Sequence, residues 1–277
     1  MAIHQSAIIN PRAEIGKNNE IGPHVIIEGP VQIGDGNIIE AGVVLKNRTC
    51  IGNNNHIHPH AVIGNDPQDV TFKGGNTRTI IGDGNIIREF VTIHRATREE
   101  GATKIGDNNF IMVSAHIAHD CIIGDSNYIV NYVALAGHVT IGDHVFISSY
   151  SGVHQFTRVG SYAMVGGLTG VNKDVPPFMI ANGQRAVVLG INMVGLKRNG
   201  FSPDRRVLLK RAYVQLYRRG TSLPNSLIEL GKMMEASETL EQRNDLQMLI
   251  EFIRSSKRGI ILKSPKDEEE HIAELLL

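Results

Sequence analysis

The chain has 277 residues, enough to bury a substantial core as one large domain with an appendage or as two domains. Its 28 basic and 28 acidic residues balance, which excludes a global field that would attract nucleic acid or an anionic membrane. Its two distant cysteines form no C-x-x-C motif and no uncharged apolar run approaches ~18 residues, so we expect a soluble protein in a reduced, cytoplasmic compartment without membrane insertion.

An aliphatic residue recurs every six residues from Ile3 to Val171. This step defines 29 positions, of which 26 are aliphatic, whereas a hydrophobic content of 42% would supply about 12. The exceptions are Asp69, Gly75 and Glu99. A period of six excludes an α-helix, whose apolar stripe recurs at 3.6 residues, and favours a short strand followed by a corner.

The corners contain residues that tolerate turn geometry. Glycine often follows the aliphatic residue, and Asp or Asn often follows glycine, as in Gly124-Asp125 and Gly142-Asp143. The Ile-Gly and Val-Gly pairs recur every eighteen residues, at 105, 123, 141 and 159, so three hexads make one coil with three faces. The predicted fold is mainly β, a triangular prism of parallel strands in which each coil packs only on its neighbours.

These hexads resemble those of the hexapeptide-repeat acyltransferases, and the resemblance implies a left-handed parallel β-helix, an exception to the right-handed crossover rule. We predict this acyltransferase domain over residues 1–190. Polar, Gly-rich and charged stretches interrupt the repeat and predict loops at 65–79 and 94–104. Loops on a rigid scaffold often carry function, and tolerated surface insertions are the alternative for both.

The composition changes after Val171, and residues 191–277 are predicted to form a C-terminal α-helical domain. Its first helix begins with Ser202 as N-cap and Pro203 at the first helical position. Two further helices are predicted at 225–236 and 239–255. We assign no function to the tail at 264–277.

Histidines are concentrated in three of the predicted coils. Residues eighteen apart stack about 5 Å from one another at the strand spacing, so Asp120 is predicted to lie beside His138. A histidine base, a carboxylate that orients it and a backbone N–H free to meet an oxyanion are the parts of a general-base site. The outward-facing residues of this candidate site are His116, His119, Asp120, Gly137, His138, His154 and Gln155.

Zinc binding is an alternative use of the histidines. One candidate group is His56, His58 and His60, and the histidines at 116, 119 and 138 form another. Three histidines hold zinc in the hexapeptide-repeat carbonic anhydrases, which this alternative resembles. No spacing in the chain demands a metal, so we predict none.

Six segments, in order, resemble the UDP-N-acetylglucosamine acyltransferases that begin lipid A biosynthesis: AHIAHDC, LAGHV, GVHQF, YAMVGG, KDVPPF and GLKRNGF. The resemblance covers residues 1 to about 260. It implies transfer of an (R)-3-hydroxyacyl chain from acyl carrier protein to the 3-position of UDP-N-acetylglucosamine. It also implies a bacterial homotrimer with sites between adjacent prisms, and no cofactor, since the acyl-phosphopantetheine of the carrier protein is a co-substrate.

The same resemblance assigns roles to individual residues. His119 corresponds to the general base, Asp120 to its partner and Gly137 to the backbone donor that stabilises the oxyanion. The residues that match the lining of the sugar-nucleotide and acyl-phosphopantetheine clefts are His116, His138, His154 and Gln155. Asp69 matches a sugar contact, and Gly167 matches the residue that acts as the chain-length ruler. Asn192 and Arg198 match donor or nucleotide contacts.

A cluster of positive charge lies between Lys197 and Arg219, where eight basic residues accompany a single acidic one, Asp204. In a chain without net charge, such a patch suits an acidic carrier protein and a diphosphate. A solvated helix face is the alternative.

Two positions depart from the family pattern. Thr71 stands where many members carry lysine, and Val194 where many carry glutamate. Both lie near the acceptor or nucleotide in the family, which suggests the 3-amino analogue of the sugar as an alternative acceptor. The product would then be an amide rather than an ester. Another hexapeptide-repeat sugar acyltransferase is a further alternative.

Overall fold

The computed structural model describes residues 2–262 of the chain. Residues 2–191 form short strands that coil around a triangular prism, with one sheet on each of its three faces. In chain order these strands are β1 (Ala2–Ile3), β2 (Ile8–Ile9), β3 (Glu14–Ile15), β4 (Glu20–Ile21), β5 (Ile26–Glu28), β6 (Gln32–Ile33), β7 (Ile38–Ile39), β8 (Val44–Lys46), β9 (Arg48–Ile51), β10 (His56–Ile57), β11 (Val62–Asn65), β12 (Arg78–Ile81), β13 (Ile86–Ile87), β14 (Thr92–His94), β15 (Ala102–Ile105), β16 (Phe110–Ile111), β17 (His116–Ile117), β18 (Ile122–Ile123), β19 (Tyr128–Ile129), β20 (Ala134–Leu135), β21 (Thr140–Ile141), β22 (Phe146–Ile147), β23 (Gly152–Val153), β24 (Arg158–Val159), β25 (Met164–Val165), β26 (Gly170–Val171), β27 (Met179–Asn182) and β28 (Val187–Ile191).

Each face contains every third strand. Face A runs from β1 through β25 and ends with β27 and β28, face B runs from β2 to β26, and face C runs from β3 to β24. The strands pair in parallel except for β27 and β28, which are antiparallel and which the repeat did not predict. The pattern of six fades there, so the sequence carries no register signal for this pair.

The aliphatic residues of the repeat fill the prism, as Ile117 and Leu135 do with no exposed surface. The corners are stabilised by side chains that stack from coil to coil. The Asp107 N–H donates to the Asp125 carboxylate at 2.7 Å, and Asn37 donates in the same way to Asn19 at 2.8 Å. Because each coil contacts only its neighbours, a residue's position in the repeat fixes its position in space.

Two connections leave the prism wall, at 66–77 between β11 and β12 and at 95–101 between β14 and β15. They lie inside the stretches where the sequence repeat is interrupted. Both connections contribute residues to the candidate site described below.

Within the described residues, four helices follow the prism: α1 (Met193–Arg198), α2 (Pro203–Tyr217), α3 (Leu223–Glu235) and α4 (Leu240–Arg254). The sequence did not predict α1, and α3 begins two residues earlier than predicted, because the Ser222 side chain caps it by accepting from Asn225 N–H. Ser202 caps α2 as predicted, accepting from Arg205 N–H. None of the helices in the described part of the chain is long and apolar enough to span a membrane.

The predicted domain boundary at residue 190 stays a prediction; β28 extends the sheet of face A to Ile191. The helices pack back on the prism, where Tyr213 Oη donates to the Leu189 carbonyl at 3.1 Å and Arg158 donates to Ser255 Oγ at 3.1 Å. The tail predicted at 264–277 lies outside the described residues.

Candidate active site

His119 and Asp120 form a corner of the prism between β17 and β18. The His119 Nδ1 atom lies 2.8 Å from Asp120 Oδ2, and both side chains are largely buried. An ionised carboxylate only accepts hydrogen bonds, so in the neutral imidazole Nδ1 carries the proton and Nε2 the lone pair. This is the tautomer that a general base requires.

Three donors hold the Asp120 carboxylate. They are His119 Nδ1 and the N–H and Oγ1 of Thr97, and the last two donate to Oδ2 at 3.1 and 2.6 Å. The backbone is held as well, because the Asp120 N–H donates to Thr103 Oγ1 at 2.8 Å. Burial opposes ionisation, but the hydrogen bonds from Thr97 and His119 outweigh it and hold the pKa of this carboxyl below its usual range. Asp120 is therefore ionised at neutral pH.

Gly137 lies directly under the His119 ring. A Cβ atom at this position would lie only 2.5 Å from His119 Cε1, so a larger residue would displace the imidazole. The Gly137 N–H forms no hydrogen bond within residues 2–262. The predicted neighbour of Asp120 is also present: His138 Nε2 lies 3.7 Å from Asp120 Oδ2, and its ring is perpendicular to that of His119 at a centroid distance of 5.3 Å.

A groove of about 630 Å³ runs along face B beside this corner. His116, Ala134, Gly152 and Gly170 pair in register across four successive strands, and the last three give the groove a floor of small residues. Sequence reasoning missed these small residues, although the step of eighteen from His116 identifies them. The predicted residues that line the groove are His116, His119, Gly137, His154 and Gln155, and Gln68 joins them from the connection at 66–77.

His94 is a buried imidazole behind the groove, which the sequence analysis did not single out. It is 5% exposed, its Nδ1 atom has no hydrogen-bond partner among the described residues, and it packs edge-on against His116 at 5.0 Å. Burial, followed by the charges of His116 and His119, lowers the pKa of His94 to about 4. His116 in turn lies 2.8 Å from Thr92 Oγ1 through its Nδ1 atom.

The buried His94 predicts a pH dependence of stability. Between pH 4 and ~6.5, the ordinary histidine pKa, the unfolded chain binds a proton at His94 that the folded chain does not, so the free energy of unfolding falls as the pH falls. From a folded pKa of about 4, His94 accounts for a loss of about 3 kcal/mol across this window. Urea unfolding of the protein and of His94→Gln at several pH values measures the difference, and equal slopes in the two proteins would refute this contribution.

The remaining predicted residues lie elsewhere in the chain. Asp69 lies in the connection at 66–77, where the N–H and Oγ1 of Thr71 donate to it at 2.8 and 2.7 Å and lower the pKa of its carboxyl. Gly167 is exposed at the corner between faces A and B and does not line the groove.

Asn192 and Arg198 lie at the two ends of α1. Asn192 is buried, and its side chain accepts from Gly195 N–H and donates to the Tyr162 carbonyl, both at 3.0 Å, so it caps the helix. Arg198 lines a separate surface groove with Met193, Val194, Lys197 and Arg206. Neither residue lines the groove at His119 within one chain.

The basic cluster is only partly available to a partner. Arg205 donates to the Asp245 carboxylate at 2.8 and 2.7 Å and packs over the Phe201 ring at 3.8 Å, so it stabilises the helical region. The first histidine group of the zinc alternative differs from the predicted one. His56 and His58 lie together with Glu40, but His60 stacks on Phe90.

Two family models match the chain and define its class of protein. A family model described as bacterial transferase hexapeptide (six repeats) matches residues 12–47, 30–65 and 102–137, which is the repeat that builds a hexapeptide-repeat transferase. A second model, UDP N-acetylglucosamine O-acyltransferase domain 2, matches residues 174–261. The predicted fold class, a left-handed parallel β-helix followed by helices, is confirmed.

The relatives identify the family. Acyl-[acyl-carrier-protein]–UDP-N-acetylglucosamine O-acyltransferase of Thermodesulfovibrio yellowstonii is 48% identical over 259 residues, which cover 93% of this chain and 98% of the relative. The enzyme of that name from Saccharophagus degradans is 43% identical over 260 residues, covering 94% and 98%. The crystal structure of Francisella novicida UDP-N-acetylglucosamine acyltransferase matches with a TM-score of 0.90 at 39% identity, covering 96% of each chain. The chain belongs to the UDP-N-acetylglucosamine O-acyltransferase family and is an acyltransferase.

Proposed function

We propose that this protein transfers an (R)-3-hydroxyacyl chain from acyl carrier protein to the 3-hydroxyl of UDP-N-acetylglucosamine, the first step of lipid A biosynthesis. The observation that carries the proposal is the His119–Asp120 pair, which lies beside a groove floored by alanine and glycine. A shallow groove of this kind accepts an extended, flexible chain such as acyl-phosphopantetheine. Family membership supplies the substrate class.

The hydrogen bond between His119 and Asp120 defines how protons move in the proposed reaction. His119 Nε2 accepts the proton of the sugar 3-hydroxyl while its oxygen attacks the thioester carbonyl, and Asp120 stabilises the imidazolium. The Gly137 N–H, which has no acceptor within residues 2–262, donates to the oxyanion. The tetrahedral intermediate then expels the pantetheine sulfur, which takes the proton from His119. Because the thioester is already activated, the proposed reaction uses no metal or dissociable cofactor.

A homotrimer would complete this site. Face A presents a stripe of aromatic side chains, with the exposed Tyr128 in register between the half-buried Phe110 and Phe146 on the strands. Tyr132 and Tyr150 stack at the adjacent corner. Tyr150 is 60% exposed. Contiguous exposed apolar patches often mark surfaces that a partner covers. We propose that two further copies cover it, and that Asn192 and Arg198 act at a neighbour's groove.

The trimer proposal predicts the effect of charge in the stripe. Tyr132→Asp combined with Tyr150→Asp is expected to lower the mass measured by sedimentation from three chains to one, because carboxylates would be buried in the interface. Acyl transfer should fall with it. Ile8→Asp is the matched control, since Ile8 is 65% exposed on face B, outside the stripe. A double variant that remains trimeric would contradict the assignment of this face.

We place the protein in the bacterial cytoplasm. Cys50 and Cys121 are both unpaired, and burial raises the pKa of the Cys121 thiol to about 12, so it stays protonated. Unpaired thiols suit a reducing compartment. Acyl carrier protein and nucleotide sugars also belong there.

The function is tested by incubating the purified protein with hydroxyacyl chains of several lengths on acyl carrier protein, and with UDP-N-acetylglucosamine or its 3-amino analogue. We expect an ester of the 3-hydroxy sugar as the preferred product by mass spectrometry. Faster acylation of the 3-amino sugar would replace this proposal by the N-acylation alternative that Thr71 and Val194 suggested. Absence of any acylated sugar would overturn both.

A further inference from the structure

A second cluster of imidazole and carboxylate groups lies outside the active site, in the N-terminal coils. Glu40 directly follows β7, and His56 and His58 lie at β10, the next strand on face A. The Glu40 N–H donates to Ile57 O at 2.9 Å and the His58 N–H to Ile87 O at 2.8 Å. The parallel ladder therefore fixes the backbone of all three residues across two successive coils.

Both imidazoles contact the same oxygen of Glu40. Glu40 Oε1 lies 2.5 Å from His56 Nε2 and 3.2 Å from His58 Nδ1, and the two rings stack at a centroid distance of 4.0 Å. One donor atom from each residue lies within 4.8 Å of the other two. Zinc bonds of 2.0–2.1 Å in a tetrahedron separate neighbouring ligand atoms by ~3.3 Å. To hold a common ion, the partly exposed His56 and Glu40 side chains must rotate so that the two stacked rings turn their nitrogen atoms toward one point.

We propose that Glu40, His56 and His58 bind one divalent ion of the zinc class, with water in the fourth position. Two imidazole nitrogens and one carboxylate oxygen are a donor set that zinc and its neighbours in the first transition series prefer. Calcium and magnesium require oxygen ligands, so two imidazoles disfavour them.

The surrounding charges are compatible with a cation. Arg88 is the adjacent positive group, and it donates to the Glu89 carboxylate at 2.9 and 3.0 Å, which offsets its charge. Glu89 Oε1 also lies 4.0 Å from His58 Nδ1, so a second carboxylate borders the site. Two stacked imidazoles that share one carboxylate repel each other when both are protonated, and a bound metal replaces those protons.

This cluster is distinct from the catalytic one. His119, Asp120 and His138 form the other such group within residues 2–262, but Thr97 already occupies the Asp120 oxygen that a metal would need. His60 offers a matched control, since it belongs to the same segment as His56 and His58 yet stacks on Phe90 at 5.4 Å.

The test is calorimetric titration of the chelator-treated, full-length protein with zinc chloride, followed by cobalt substitution. We expect one site per chain, a visible absorption band of four-coordinate cobalt, and a higher thermal midpoint with zinc, because the metal joins two coils. His58→Ala and Glu40→Gln should each weaken binding at least about tenfold. His60→Ala should bind as the unaltered protein does.

Glu40→Gln keeps the size of the side chain, so it tests the site even if His58→Ala fails to fold. Absence of stoichiometric zinc binding would overturn the proposal. Binding that survives Glu40→Gln with His56→Ala, or that is lost in His119→Ala instead, would overturn it as well. None of these results depends on the acyl-transfer reaction.

Discussion

Replacement of His119 by alanine is expected to lower kcat for acyl transfer by about 10²–10⁴-fold, the contribution of a positioned general base. Asp120 Oδ2 holds the imidazole at the edge of the groove through its 2.8 Å contact with His119 Nδ1. KM for the sugar nucleotide should change far less, since the lost interaction concerns the proton in the transition state.

His24→Ala is the control for this substitution. His24 also occupies a prism corner, but it is exposed and lies in the N-terminal coils. Its removal should leave kcat unchanged. If His119→Ala retained activity close to that of the unaltered protein, another group would have to accept the proton.

Replacement of Gly137 by alanine is expected to lower kcat by about 100-fold, the cost of displacing a reacting group by about 1 Å. The added Cβ would lie 2.5 Å from His119 Cε1, so the ring must leave its position over Gly137 and its contact with Asp120. The ring is a side chain at the surface of the groove and can move, so the free energy of unfolding should fall by only about 1 kcal/mol, one hydrogen bond.

Gly190→Ala provides the matched control, because a Cβ there meets no atom within 4 Å. Kinetic assays and urea unfolding of both variants separate the two effects. Full activity in Gly137→Ala would show that the position of the His119 ring over this glycine is not required. A large loss of stability without loss of kcat would point to a structural role instead.

Much of the site could be predicted because the prism is periodic. The step of eighteen places Asp120 next to His138, and the structure gives 3.7 Å between their side chains. The same step stacks His119 on Gly137. In a solenoid, contacts join adjacent coils, so a sequence offset converts directly into a distance.

The residues that the sequence did not reveal lie where the repeat is interrupted. Thr97 donates twice to Asp120 but belongs to the connection at 95–101, whose path the repeat does not determine. The Arg205–Asp245 pair joins helices forty residues apart, for which the sequence has no fixed offset. Asn192 was predicted as a substrate contact, which stays a prediction, and the structure shows in addition that it caps α1.

The central claim is that His119 drives acylation of the sugar at its 3-position. It is tested most directly by single-turnover reaction of the protein with hydroxyacyl-loaded carrier protein and UDP-N-acetylglucosamine, with NMR assignment of the product. We expect an ester at O3 that forms at least about 100-fold more slowly with His119→Ala. An acyl group at another position, or equal rates for the two proteins, would contradict it.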